Sequence, residues 1–352
     1  MHAQNSSREQ GDKTTPDRKI AVLTTGGTIG SLLGDYAISI ERSGNTLRKR
    51  IYDLADTSGA QIEVFPVSNV ASPNLEPEDW VAFSEKIAAC KADGFRRFII
   101  THGTDTLHFT STFLALQFHG SDLKICVTGA FFPINHENSD ANANVIAAFE
   151  TVTDDRLIDG VYAAFADPKT GSPAVVPALD LMPPLYDEPA FRSVFDKSPE
   201  VINTIEHSDS IFSRINWSLE RRLLTKRDLI AAKTNVASCR LYPGIDMRLY
   251  SNLPDKAILV IEGYHSGTGS ARNLENGIIA LKQKRPDIMI CLASLPSPSV
   301  PVPYEASKTL MEAGVQVYRD LPPHLLYVAA LVDKGDSLGE QSISTMLREY
   351  QI

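Results

Sequence analysis

Several things are scarce in this sequence, and each shortage closes a class of explanation. No apolar stretch reaches the roughly 18 residues that a membrane-crossing helix needs, so no membrane association is expected. The four cysteines, Cys90, Cys126, Cys239 and Cys291, lie far apart among apolar neighbours. They form neither a zinc spacing nor a disulfide framework, and read as buried free thiols of a cytoplasmic protein. Basic residues are outnumbered, 34 against 43 acidic, for a net charge of −9. That balance opposes a nucleic-acid partner. No compact His/Cys/Asp/Glu ligand set is present, and neither a metal nor an organic cofactor is expected. Residues 1–17 lack an apolar core, so they are not a secretory signal and are expected to be a disordered tail. Solenoid repeats and low-complexity tracts are missing too.

What is present is organised around residues 19–29, KIAVLTTGGTI. Ile20 to Leu23 read as a buried strand, central in a parallel sheet. Gly26 and Gly27 then permit a sharp turn and a close backbone approach to a ligand. The spacing GGTIG is not a dinucleotide fingerprint, and no Gly-Lys-Ser/Thr follows to make a P-loop. Two readings stay open at this point: a hydroxyl nucleophile held at a strand end, or an ordinary glycine-rich turn.

A length of 352 residues suggests two or three domains. Residues 30–50 read as a loop with a small hairpin at 36–40, a candidate lid that contains Tyr36. Strands are expected at 61–67, 95–101, 123–128, 161–166 and 174–178. Helices are expected at 77–93, at 107–119 and after Ser139 and Asp140, either of which can act as a cap. This alternation predicts a parallel α/β sheet with crossover helices. The rhythm breaks between 180 and 233. The divisions expected are a domain over 18–215, a linker over 216–233 and a smaller α/β domain over 234–352. That second unit carries expected strands at 236–241, 257–262, 288–293 and 315–318, with helices at 271–284, 305–313 and 339–350.

Two strands of the first unit end alike, one in Thr25-Gly26-Gly27-Thr28 and the other in His102-Gly103-Thr104-Asp105-Thr106. Adjacent parallel strands bring such ends to one rim. A threonine hydroxyl attacks only when a base takes its proton, and backbone N–H groups beside it can hold an oxyanion. Asp105 suits an ammonium or the orientation of a base. A helix cap is the plainer reading of the same residue.

With these two motifs the chain resembles the bacterial-type L-asparaginase/glutaminase family. The resemblance runs on through Thr128-Gly129-Ala130, Ser139-Asp140, Asn144 and Val161 to Phe165, and returns thinly at Ile261 to Gly269. It implies a two-domain asparaginase-like fold, a small amino-acid amide as substrate, and a homodimer or homotetramer with each site near a neighbour's second domain. By the same resemblance Thr28 is the catalytic nucleophile, Tyr36 the lid tyrosine that assists it, and Thr104 and Asp105 the second catalytic threonine and the aspartate that binds the α-amino group. Ser72 and Gly27 hold substrate, and Thr268 stands where the second domain offers a substrate-side asparagine.

The chain departs from that pattern in three places. Pro73 follows Ser72 where a polar residue is usual. Thr268 replaces the asparagine, with His265 beside it as a local acid or base, or simply an exposed loop histidine. The family's catalytic lysine, expected near 177–179, is replaced there by Pro177, Ala178 and Leu179, and no lysine occurs from 170 to 196. Lys169 is the nearest cation in sequence. The expectation is therefore an L-asparaginase-like amidohydrolase of weak or altered activity. The alternative is a non-catalytic amino-acid-binding or regulatory protein on the same scaffold. Relatives that act on misacylated tRNA are a third possibility, which the acidic charge opposes.

Overall fold

The computed structural model describes residues 19–34, 37–166, 173–184, 191–194, 210–217, 222–264, 266–272, 275–294, 303–336 and 343–351. In chain order, the first unit carries β1 (Ile20–Thr24), β2 (Ser31–Leu33), β3 (Ile38–Ile40), α1 (Asn45–Ser58), β4 (Ile62–Pro66), α2 (Trp80–Ala92) and β5 (Arg97–Thr101). It continues with α3 (Leu107–Gln117), β6 (Lys124–Thr128), α4 (Ala141–Thr153), β7 (Gly160–Ala166) and β8 (Pro173–Pro177). Short pieces follow: β9 (Leu181–Met182), β10 (Arg192–Ser193) and α5 (Ile211–Arg214), then α6 (Lys226–Lys233). The second unit has β11 (Val236–Arg240), β12 (Ile258–Glu262), α7 (Ile278–Lys284), β13 (Met289–Ala293), α8 (Glu305–Glu312), β14 (Gln316–Tyr318), α9 (Pro323–Gly335) and α10 (Ile343–Met346).

The larger sheet has the order β4-β1-β5-β6-β7-β8. Its first five strands run parallel, and β8 returns antiparallel on β7 as a hairpin. From β1 the chain moves out to β4, then crosses back over β1 to β5. The crossovers therefore cover opposite faces. Side chains of β1 alternate accordingly. Ile20 and Val22 pack with Leu47 and Ile51 of α1 and with α4. Ala21 and Leu23 pack with the side of α2 and α3, including Phe83, Ile87 and Phe113. The point where the strand order reverses, between β1 and β5, is where open α/β sheets place ligands. Thr24 pairs with Thr101, and Thr101 with Thr128, so three strands end level at one rim.

The smaller sheet, β11-β12-β13-β14, is parallel throughout. One face packs on α7 and α8, the other on α9. Helix α9 also lies against α3, so one continuous apolar core runs from the first sheet into the second. The architecture is a mixed α/β fold with a larger N-terminal sheet and a smaller C-terminal α/β part.

Four local expectations are corrected. The loop read over 30–50 ends at Gly44, where α1 begins. Its buried stripe of Leu47, Ile51 and Ala55 is spaced by four, and Gly44 and Gly59 flank it in the left-handed region. Helix α9 was not expected at all. Apart from Tyr327, residues 324–332 are buried and nearly all apolar, a run that periodicity alone does not separate from a buried strand. The helix expected over 271–284 starts only at Ile278, after Gly277. Within the described part of the expected C-terminal helix, Ile343–Met346 is α-helical and Arg348–Tyr350 is a 3₁₀ turn.

Candidate active site

Three turns meet at the rim between β4, β1 and β5. The first, after β1, carries Gly26 at φ 100° and Gly27 at φ 79°, conformations that favour glycine. Space demands glycine as well. A Cβ on Gly27 would run into the Gly103 backbone, and one on Gly26 would lie 2.7 Å from the Val70 carbonyl oxygen. Gly103 in turn leaves room for Ser72, whose Oγ would clash with a Cβ there. Hydrogen bonds lock the turns together. Thr25 Oγ1 donates to the Thr101 carbonyl at 2.6 Å. Thr106 Oγ1 donates to the Ser72 carbonyl at 2.9 Å. Ser31 Oγ donates to the Gly27 carbonyl at 2.9 Å.

This packing brings Gly27, Thr28, Ser72, Thr104 and Asp105 to one place. Ser72 and Thr104 are buried, Thr28 is half-buried and Asp105 exposed. Ser72 Oγ donates to Asp105 Oδ2 at 3.5 Å. No hydrogen bond engages the hydroxyls of Thr28 and Thr104 among the described residues. The plainer reading of Asp105 does not hold, because Thr106 is the N-terminal cap position of α3 and no amide of that helix donates to Asp105. Ser139 Oγ does accept from Ala141 N, whereas Asp140 caps no amide of α4; its carboxylate takes the amides of Phe131 and Phe132 and the side-chain amide of Asn144.

The other expected residues are not joined to this group. Thr268 lies in the turn after β12, and its hydroxyl meets Ser266 Oγ at 3.0 Å. No hydrogen bond links it to Thr28, Thr104 or Asp105 among the described residues. Tyr36, Lys169 and His265 lie outside the described residues. The β2–β3 hairpin that flanks Tyr36 is tied to the loop after β6 by Asn135, which accepts from Leu33 N at 2.7 Å and donates to the Leu33 carbonyl at 3.3 Å.

Because β8 runs antiparallel, Pro177 pairs with Tyr162, level with Cys126, Ile99 and Val22 in the middle of the sheet and two residues below the rim. Ala178 and Leu179 are buried there beside Phe118 and Tyr162. The end of β8 that shares a rim with Thr104 is its beginning, where Pro173 pairs with Ala166. None of 173–177 is a lysine. Among the described residues, Asp105 has no ion pair.

His102 carries no role in the sequence-based expectations. It is fully buried beneath the turn, with Nδ1 2.7 Å from the Gly103 carbonyl and Nε2 2.9 Å from Thr110 Oγ1. Burial pushes its pKa down to about 4, against the raising effect of the Gly103 bond.

Comparison with known proteins agrees with this geometry. Residues 19–177 match the family model described as "Asparaginase, N-terminal". The L-asparaginase of Thermococcus kodakarensis is 28% identical over 310 residues, covering 84% of this chain and 87% of that protein. The chain is homologous to the L-asparaginase/glutaminase superfamily. A glutamyl-tRNA(Gln) amidotransferase component of Methanobrevibacter smithii is 27% identical over 327 residues, 88% of this chain and 71% of the relative. Among solved structures, the thermostable L-asparaginase from Thermococcus kodakarensis superposes with a TM-score of 0.67 at 23% identity, over 94% of this chain and 99% of that one. L-asparaginase I from Vibrio cholerae gives 0.65 at 17% identity, over 94% and 99%. These two superpositions speak for the asparaginase-like fold. No helix among the described residues is long and apolar enough to cross a membrane.

Proposed function

We propose that this chain is a divergent asparaginase-like amidohydrolase that hydrolyses L-asparagine, and L-glutamine second, with the strand-end rim between β1 and β5 as its site. The observation that carries this reading is the contact of two threonine turns at the topological switch point, backbone against backbone, with both threonine hydroxyls free of hydrogen bonds among the described residues. Thr28 Oγ attacks the side-chain amide carbon. Collapse of the tetrahedral intermediate breaks the C–N bond, ammonia leaves with the added proton, and an ester on Thr28 remains. Water, activated on the Thr104 side, cleaves that ester and returns the hydroxyl proton. Free amides near Gly27 and Thr104 hold the oxyanion. Asp105 takes the substrate's α-ammonium, Ser72 its α-carboxylate, and Tyr36 assists from the hairpin. Lys169 and a water held by Asp105 are the two groups proposed to take the proton at Thr104. Thr268 reaches substrate from a neighbouring copy in a homodimer or homotetramer, with units at 18–215 and 234–352.

Because positioned general-base help is worth roughly 10²- to 10⁴-fold, we expect slow or redirected turnover. The lack of an ion pair on Asp105 among the described residues also favours a second reading, an amino-acid binder that does not turn over. Ammonia release from an amide panel, run beside calorimetry with asparagine and aspartate, separates them. Turnover in wild type that disappears in Thr28→Ala supports the hydrolase. Saturable heat with no ammonia supports the binder, and equal rates in both proteins reject Thr28 as nucleophile.

A further inference from the structure

In a planar trans peptide, the carbonyl and the following N–H point in opposite directions. The peptide between Gly103 and Thr104 is trans, and its carbonyl is held by the buried ring of His102 at 2.7 Å. A carbonyl only accepts, so His102 Nδ1 carries the proton. Nε2 is then an acceptor, filled by the Thr110 hydroxyl at 2.9 Å. Phe83 braces the ring, edge to face at 6.1 Å between centroids. With the Gly103 oxygen drawn inward, the Thr104 N–H is turned away from the core.

That N–H has no internal partner among the described residues, and the same is true of the amides of Gly26, Gly27, Thr28 and Gly103. Buried or half-buried amides are nearly always paired, so a run of unpaired ones on two touching turns is a cradle for an oxygen ligand. Gly103 must be glycine to admit Ser72, and a glycine's peptide is the freest to rotate. Something outside the turn therefore has to fix its direction.

We infer that His102 is a positioning residue: in its Nδ1–H form it anchors the Gly103 carbonyl and thereby holds the Thr104 N–H outward, as a donor to the oxygen of the substrate amide. This rests on the hydrolase reading. Low basicity of the buried ring keeps it in this neutral form at neutral pH.

The test combines kinetics of ammonia release with nitrogen NMR of the wild-type imidazole. His102→Leu is expected to lower kcat by roughly 10²- to 10³-fold, the scale of losing one oxyanion donor, with KM nearly unchanged. His102→Asn, whose amide nitrogen sits where Nδ1 was, is expected to recover about tenfold of that loss. Thr110→Val, which removes only the partner that sets the tautomer, is expected to fall between wild type and His102→Leu in kcat. It serves as the test if His102→Leu does not fold. The wild-type spectrum should show Nδ1–H. An Nε2–H tautomer, an unchanged kcat in a folded His102→Leu, or equal losses in the Leu and Asn variants with only a lowered Tm would each overturn the inference. No ammonia from wild type overturns the hydrolase reading and this inference with it. Turnover in wild type with unchanged His102→Leu overturns the inference alone.

Discussion

Each sheet of this chain ends a parallel strand in a glycine-rich turn, and the two turns treat their threonine hydroxyls in opposite ways. After β12, Gly263 N bonds the Ala293 carbonyl, Tyr264 N the Thr268 carbonyl, and Gly267 N the Tyr264 carbonyl. Ser307 Oγ closes the set on the Gly267 carbonyl, and the hydroxyls of Ser266 and Thr268 face each other. After β1 and β5, the carbonyls are held but the amides and both threonine hydroxyls are left open among the described residues. Unpaired polar groups cost stability unless something else satisfies them. Hydroxyls that pair with each other need no ligand to satisfy them, whereas the open hydroxyls of Thr28 and Thr104 leave room for one.

The sharpest break in this comparison is Thr28→Ala against Thr268→Ala. Loss of Thr28 should cut ammonia release by roughly 10⁴- to 10⁶-fold, the scale of deleting a nucleophile, with no change in Tm. Loss of Thr268 should leave kcat unaltered. Comparable losses in the two variants would dissolve the distinction between the turns.

Alanine at Gly27 and at Gly267 sharpens it. Both glycines have positive φ, at 79° and 74°, so both substitutions should cost about 1–3 kcal/mol of stability. At Gly27 the new Cβ runs into the Gly103 backbone, while at Gly267 it meets the Ser294 side chain at 2.7 Å. A backbone cannot swing aside as a side chain can. Displacing the threonine turns by about 1 Å should cost on the order of 10²-fold in kcat for Gly27→Ala, and little for Gly267→Ala. Denaturation and ammonia assays on the pair read both quantities.

A third comparison sets the rim against the contact between α3 and α9. His108 and His324 meet there edge to face at 4.7 Å, each the second residue of its helix. Burial pushes His108 down to about 3 and His324 well below its ordinary value, with His102 and His108 respectively adding like-charge repulsion. The positive ends of both helices act in the same direction. Phe109 and Tyr327 complete the contact. Unfolded histidine titrates near pH 6.5. Below that pH the unfolded chain binds more protons than the folded one, so stability falls with acid. Above it, stability is flat with respect to these groups. The expected slope is about 1.4 kcal/mol per pH unit for each such histidine, from near pH 6.5 down to about 4, where His102 begins to accept a proton in the folded state. Urea denaturation at stepped pH measures it, and His108→Leu should flatten the curve. An unchanged curve in that variant would remove the seam from the account.

The smallest effect expected is in Thr268→Val. KM should rise a few-fold, because in the proposed oligomer a neighbouring copy brings that hydroxyl to substrate. No change in KM assigns Thr268 to its own turn, where its bond to Ser266 already places it.

The rim was legible because strand-end residues cluster in sequence as well as in space: Thr25 to Thr28 and His102 to Thr106 are each contiguous. The strands of both sheets were legible for a similar reason, as short apolar runs between turn residues. Helix α9 was not, since its run of buried apolar residues from Leu325 to Val332 reads as readily as a buried strand. Helix α1 was missed because only three of its positions are buried, among charged residues. Counting along the chain for the family's lysine leads to Pro177, which β8 sets two residues below the rim, level with Val22. His102 went unread because its role lies in which way a peptide faces, and composition holds no trace of that.

The central claim is that Thr28 becomes covalently attached to substrate. Rapid quenching of wild-type protein with L-asparagine or L-glutamine, followed by mass spectrometry of its peptides, tests it directly. An ester on the peptide that contains Thr28, appearing before steady state and lost in Thr28→Ala, is the predicted result. Sustained ammonia release with no adduct on that peptide, or an adduct that persists in Thr28→Ala, would contradict it.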